Sequence, residues 1–197
     1  MSARTIEFFW DSASPYTYLA ATQIEAFAQR HGATVAWKPF LLGKAFEATG
    51  NRPPAQIPAK GKYLFQDLRM WAKLYGVPFR WPKVFPVASL ASLRIACAVP
   101  DAQAGTWARA VMSAYWGREE DIGQPEVLKT VAAQLGWNGD ELLAKARRAA
   151  HQLDSEVVLI GILPTIDISD LTLANMTPVP RYFALNEAMR RLRGKDW

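Results

Sequence analysis

The chain has 197 residues, half of them hydrophobic, with a net charge of +5 and a single cysteine. That length suits one sizeable core, or a small domain with another set into it. One cysteine excludes an internal disulfide, a C-x-x-C redox couple and a cysteine-rich zinc site, so no metal is expected.

The positive charges are scattered, apart from Arg147–Arg148 and a tail with Arg190, Arg191, Arg193 and Lys195. There is no basic stripe with interleaved aromatics. Nucleic acid is therefore not an expected partner, and the basicity is read as a bias toward anionic small ligands. No apolar run approaches the ~18 residues of a membrane span, and MSARTIEFF lacks a secretory signal pattern. The expected setting is cytoplasmic, without a membrane.

In chain order, Ile6–Trp10 has strand composition and stops at Asp11. Ser14 is a good N-cap, and Pro15 falls at the first helical position, where a missing N–H costs nothing. Tyr16, Leu19, Ala20, Gln23, Ile24 and Phe27 continue at helical spacing toward Arg30 and His31, with Gly32 as the C′ residue. The Ser14 hydroxyl thus sits where a strand hands over to a helix N-terminus, a place that stabilises anions, including a thiolate. Cys97 is remote in sequence, so a thiolate held at Ser14 would come from a ligand. Ala33–Leu42 predicts a second strand, parallel to the first, with Pro39 near its end.

Residues 43–59 are rich in Gly, Pro and small side chains and predict a loop. From Lys60 to Asp154 the pattern is helical. Leu64, Leu68, Trp71 and Tyr75 make one stripe, closed by Gly76. Ser89 and Asp101 are caps for two further helices, the second carrying Ala104, Trp107, Val111 and Tyr115. Pro125 opens another, and Asn138 with Glu141 forms a capping-box-like pair before the next. Cys97, in an apolar helix, is expected to be a buried packing residue without a catalytic part. Strand character returns at Glu156–Ile160 and Thr165–Ile168, and an amphipathic helix follows at about Tyr182–Leu192. The expected organisation is an α/β domain built from residues 1–44 and 154–197, with residues 45–153 as an inserted all-helical domain.

Several motifs in this order resemble a known family. They are Asp11, Ser14, Pro15, Tyr16, Tyr18 and Leu19 after an apolar strand; Gly50-Asn51-Arg52-Pro53-Pro54; Lys60-Gly61-Lys62-Tyr63; Leu74-Tyr75-Gly76-Val77-Pro78; and Tyr115-Trp116 with Asp121-Ile122. The chain is similar over about residues 5–150 to the 2-hydroxychromene-2-carboxylate isomerases and the kappa-class glutathione transferases. The resemblance implies a thioredoxin-like fold with a helical insertion, a homodimer, glutathione as cofactor and a small aromatic carboxylate as substrate. It implies that Ser14 meets the glutathione sulfur, and that Asn51 and the Lys60/Lys62 segment face the cleft. It also implies a cis-proline loop at Leu163-Pro164-Thr165 that receives the peptide part of glutathione. Glutathione-dependent isomerisation is the leading expectation. A kappa-like transferase and a ligand-binding relative without glutathione are the alternatives.

The sequence departs from the family at the turn before the last helix. Where the family has G-x-D-R, this chain has Thr177-Pro178-Val179-Pro180-Arg181. Pro180 offers neither a side-chain acceptor for the γ-glutamyl amine nor an N–H for its carboxylate, and Pro178 removes a further donor. Arg181 can still pair with the carboxylate. Losing a charged hydrogen bond weakens binding about ten- to a hundredfold. Calorimetry should therefore give glutathione affinity in the millimolar range, weaker again in Arg181→Ala; a micromolar constant would show that another residue has replaced the aspartate.

Overall fold

The computed structural model describes residues 4–51 and 53–152, all within the unit Met1–Leu159. Strand β1 (Arg4–Trp10) pairs in parallel with β2 (Ala33–Pro39), Phe8 opposite Trp37 and Trp10 opposite Pro39. Phe8 and Trp10 are buried, two residues apart and so on one face. Phe8 meets Trp37 edge-on at 5.0 Å.

The crossover is two helices rather than the single one expected: α1 (Pro15–Ala21) and α2 (Ile24–Arg30). The break has a local cause. The Thr22 hydroxyl donates back to Leu19 O, the Gln23 N–H takes Ala20 O in a tightened turn, and the Gln23 amide donates to Thr22. Gly32 then takes the left-handed conformation expected of a C′ residue.

The expected loop at 43–59 is largely helical, which corrects that reading. It contains α3 (Leu42–Thr49), a 3-10 turn (Pro54–Gln56) and the start of α4 (Pro58–Tyr75). The residue before α3 is Leu41, which has no capping side chain. The Leu42 N–H instead donates to Asp11 Oδ2 at 2.8 Å. A cap supplied from 31 residues away leaves no local signature.

The remaining helices follow the sequence pattern: α5 (Leu90–Ala98), α6 (Asp101–Met112), α7 (Pro125–Gln134) and α8 (Gly139–Gln152). Asn138 caps α8 by accepting the Glu141 N–H. Ser89 precedes α5 as expected, but makes no side-chain cap bond. Helix α6 runs into a π-helical turn, Ser113–Gly117, in which Tyr115 and Trp116 are fully buried. The buried core centres on Trp107, Val111, Met112, Leu68, Ile122, Leu128 and Val131. The strands expected at 156–160 and 165–168, and the helix at 182–192, lie outside the described residues.

Helix α6 packs on β2 where Gly105 meets Trp37, with the Arg109 guanidinium over the Trp37 ring and paired with Glu25. A Cβ at residue 105 would overlap the Trp37 indole nitrogen and crowd the Glu25 carboxylate. Gly105→Ala should therefore destabilise the fold by about 1–3 kcal/mol in urea melts, despite alanine's better helix propensity. An equal or higher midpoint would refute that packing.

Candidate active site

The four residues between β1 and α1 form a tied-down turn. The Ser14 N–H donates to Asp11 O at 3.0 Å, and the Ala13 N–H donates to Asp11 Oδ1 at 2.9 Å. Ser12 is fully buried. Its carbonyl accepts the Trp116 indole N–H at 2.9 Å, and its hydroxyl lies 2.9 Å from Ser92 Oγ. Ser92 donates to Ser89 O at 2.7 Å. The shared proton between the two serines therefore comes from Ser12.

Ser14 has extended backbone and caps α1, its Oγ accepting the Thr17 N–H at 3.3 Å. It is half-buried. A hydroxyl that accepts along one direction keeps its own proton to donate along another. Ser14 thus presents a donor at the surface of a rigid turn.

Asp11 is 1% exposed. Burial pushes its carboxyl pKa up, while the N–H groups of Ala13 and Leu42 and the Ser89 hydroxyl pull it back. The sequence motif contains Asp11 without giving it a role. The Ala13 bond is of a local kind, but Leu42 is far along the chain, so no local pattern could have shown that Asp11 also holds the head of α3.

Helix α1 lies against α4, where the Tyr16 hydroxyl donates to Asp67 Oδ2 at 2.7 Å. Burial, then the Asp67 carboxylate, push the Tyr16 phenol pKa upward. Lys60 and Lys62 are exposed near the start of the same helix α4. Asn51 is exposed just past Gly50, the left-handed C-cap of α3. The fold thus sets the helix carrying Lys62 beside the helix that Ser14 caps. Leu163, Pro164 and Arg181 lie outside the described residues.

An aromatic group is tied to the turn through Trp116. Trp81 touches Phe65, Phe85 and Trp116 at centroid distances of 4.2, 4.7 and 5.6 Å, and Phe79 stacks on Trp116 at 5.8 Å. The irregular segment between α4 and α5 is pinned by tyrosines, Tyr18 donating to Pro78 O at 2.6 Å and Tyr115 to Val84 O at 2.7 Å. Phe85–Pro86 is cis. Two cavities lie elsewhere. One of about 220 Å³ is lined by residues including Tyr18, Pro78, Arg109 and Ser113, and one of about 290 Å³ runs along β2 beside Asp101. Ser14 lines neither. Among the described residues no cluster of His, Cys, Asp and Glu could hold a metal, and no helix is long and apolar enough to cross a membrane.

A sequence profile of DSBA-like thioredoxin domains matches residues 5–156. The 2-hydroxychromene-2-carboxylate isomerase of Pseudomonas putida is 30% identical over 95% of each chain. Glutathione S-transferase kappa 1 of Caenorhabditis elegans is 28% identical over 72% of this chain and 67% of its own. A solved 2-hydroxychromene-2-carboxylate isomerase matches 97% of both chains with a TM-score of 0.71 at 23% identity, a likeness of fold.

Cys97 departs from expectation, because it is exposed on α5 rather than buried in the core. What packing it has pushes its thiol pKa up. The native protein should therefore react with iodoacetamide without denaturant, faster as pH rises. A thiol that is silent until the protein unfolds would restore the buried assignment.

Proposed function

Because the chain belongs to the family of DSBA-like thioredoxin domains, we propose that it is a glutathione-dependent isomerase of aromatic-degradation intermediates. The reaction class is conversion of 2-hydroxychromene-2-carboxylate to its open-chain trans-o-hydroxybenzylidenepyruvate. The fold is a thioredoxin-like α/β domain interrupted by an all-helical domain. We place the insertion at 45–153, with 1–44 and 154–197 on either side.

The observation that carries the reading is the Ser14 hydroxyl, held by the Thr17 N–H with its proton free to donate. That donor fits a thiol anion. Both Asp11 oxygens accept N–H groups inside the fold, which turns that carboxylate away from the Ser14 hydroxyl. If glutathione is bound there, its thiolate would supply a reversible nucleophile, and Ser14 would hold the sulfur. Lowering a thiol pKa from ~8.5 to ~6.5 requires about 2.7 kcal/mol of differential stabilisation. A hydrogen bond from Ser14 to a charged sulfur supplies about 1.5–3 kcal/mol of that.

Asn51 and Lys62 are assigned to ligand contact, with Leu163, Pro164 and Arg181 for the peptide and γ-glutamyl ends of glutathione. The support for Asn51 and Lys62 is their exposure and the packing of α4 on α1. The aromatic group around Trp81 supports an aromatic substrate, and the surplus of positive charge an anionic one. We assign the active form as a cytoplasmic homodimer. The exposed stripe of Tyr63, Met70 and Leu74 on α4, each 65–71% exposed, supports a partner surface.

The similarity to a kappa transferase favours a second reading, conjugation of glutathione to an electrophile. Product analysis with chromene carboxylate and glutathione separates the two: isomerisation leaves glutathione unconsumed. Absence of any glutathione heat in calorimetry would leave a ligand-binding relative. Under the isomerase reading, Ser14→Ala should lower kcat/KM by about tenfold or more, while its lost cap costs ~1 kcal/mol of stability. Unchanged turnover in the folded variant would remove Ser14 from the mechanism.

A further inference from the structure

We infer that Asp11 is a positioning residue for Ser14, holding the turn that aims the hydroxyl and acting on a bound thiol only through that hydroxyl. This rests on the reading of Ser14 as the group that meets the glutathione sulfur. Asp11 is too buried to touch a ligand. Yet each of its acceptors serves the turn or its surroundings. Its carbonyl takes the Ser14 N–H, Oδ1 the Ala13 N–H and Oδ2 the Leu42 N–H at the head of α3. Ser12 adds the second anchor, through Trp116 and Ser92. The described hydrogen bonds from Asp11 to Ala13 tie the turn to the fold, and none of them takes the Ser14 hydroxyl proton.

Two roles for a buried carboxylate three residues from a thiolate predict opposite signs. As a brace, Asp11 promotes thiol ionisation, because a hydroxyl displaced by as little as ~1 Å can lose about a hundredfold in rate. As a bare charge, it opposes ionisation. Asp11→Asn separates them. The amide keeps one acceptor, faces the other N–H with a donor, and removes the charge.

The experiment measures protons released per glutathione bound, by calorimetry in buffers of different ionisation enthalpy, for wild type, Asp11→Asn, Ser14→Ala and the double variant. The brace predicts fewer protons released in Asp11→Asn, approaching Ser14→Ala, with kcat falling about tenfold and glutathione affinity changing less. It also predicts that the double variant is no worse than Ser14→Ala alone, an interaction that simple destabilisation would not produce. Equal or greater proton release in Asp11→Asn, with Ser14→Ala impaired, overturns the brace and leaves the function standing. Unimpaired release in Ser14→Ala overturns the reading of Ser14 and the brace with it. If Asp11→Asn does not fold, Ser92→Ala takes its place. Cutting the Ser12 anchor should shift proton release in the same direction by less, and no shift there overturns the inference.

Discussion

A carboxylate removed from water at the end of β1 organises the described structure. Burying an ionisable group is costly unless its oxygens find donors. Asp11 finds them in the Ala13 and Leu42 N–H groups. Neither of those N–H groups has another described acceptor, so the dependence is mutual. Helix α3 starts after an apolar residue and would begin with an unpaired N–H without Asp11. The end of a strand, the turn and the head of a helix are therefore one cooperative unit.

That unit is bolted to the helical part through Ser12. Its carbonyl accepts from Trp116 on the π-helical turn, and its hydroxyl from the other side engages Ser92 on α5. The Trp107 indole caps the same patch by donating to Ser92 O. Around it runs a segment without regular hydrogen bonding, residues 77–88. Such a segment needs partners for its backbone groups. Tyr18 and Tyr115 give two of its carbonyls hydroxyl donors, and the Arg80 N–H reaches Trp116 O. The aromatic side chains from 79 to 85 are held beside the turn by these backbone contacts as well as by ring packing.

The sequence made the local features legible. Ser14 as N-cap with Pro15 behind it, the parallel β1–β2 pair, Gly32 and Gly76 as left-handed helix ends and the Asn138 cap each rest on chemistry within a few residues. What escaped it depends on distance along the chain. Helix α3 was hidden because its cap comes from Asp11. Ser89 read as a cap, but it makes no side-chain cap bond, and its carbonyl instead accepts the Ser92 hydroxyl. The break at Thr22–Gln23 was hidden, since Thr22 gives no sign in advance that it will bond back to Leu19. Cys97 lies on an apolar helix, yet that helix buries Ser92, Leu93, Ile95 and Ala96 and turns the thiol outward. Composition sets how apolar a helix is, and packing decides which side is covered. Of the assigned site, Ser14 was legible from both position and motif, whereas Asn51 and Lys62 rest on motif alone.

The hydrogen bonds also decide what kind of chemistry Ser14 can perform. A nucleophilic serine needs a base that accepts its proton and a third group that orients the base. Here the Ser14 oxygen is engaged as an acceptor by the Thr17 N–H, which lowers its electron density rather than raising it. Asp11, the nearest carboxylate in sequence, has both oxygens turned to backbone N–H groups and away from that role. His31 packs on Phe27 at the far end of the α1–α2 crossover, at a centroid distance of 4.6 Å. Among the described residues no base addresses the hydroxyl. An oxygen that receives one hydrogen bond becomes a better donor through its own proton. The described hydrogen bonds therefore suit the Ser14 hydroxyl to giving a hydrogen bond rather than to attacking as a nucleophile.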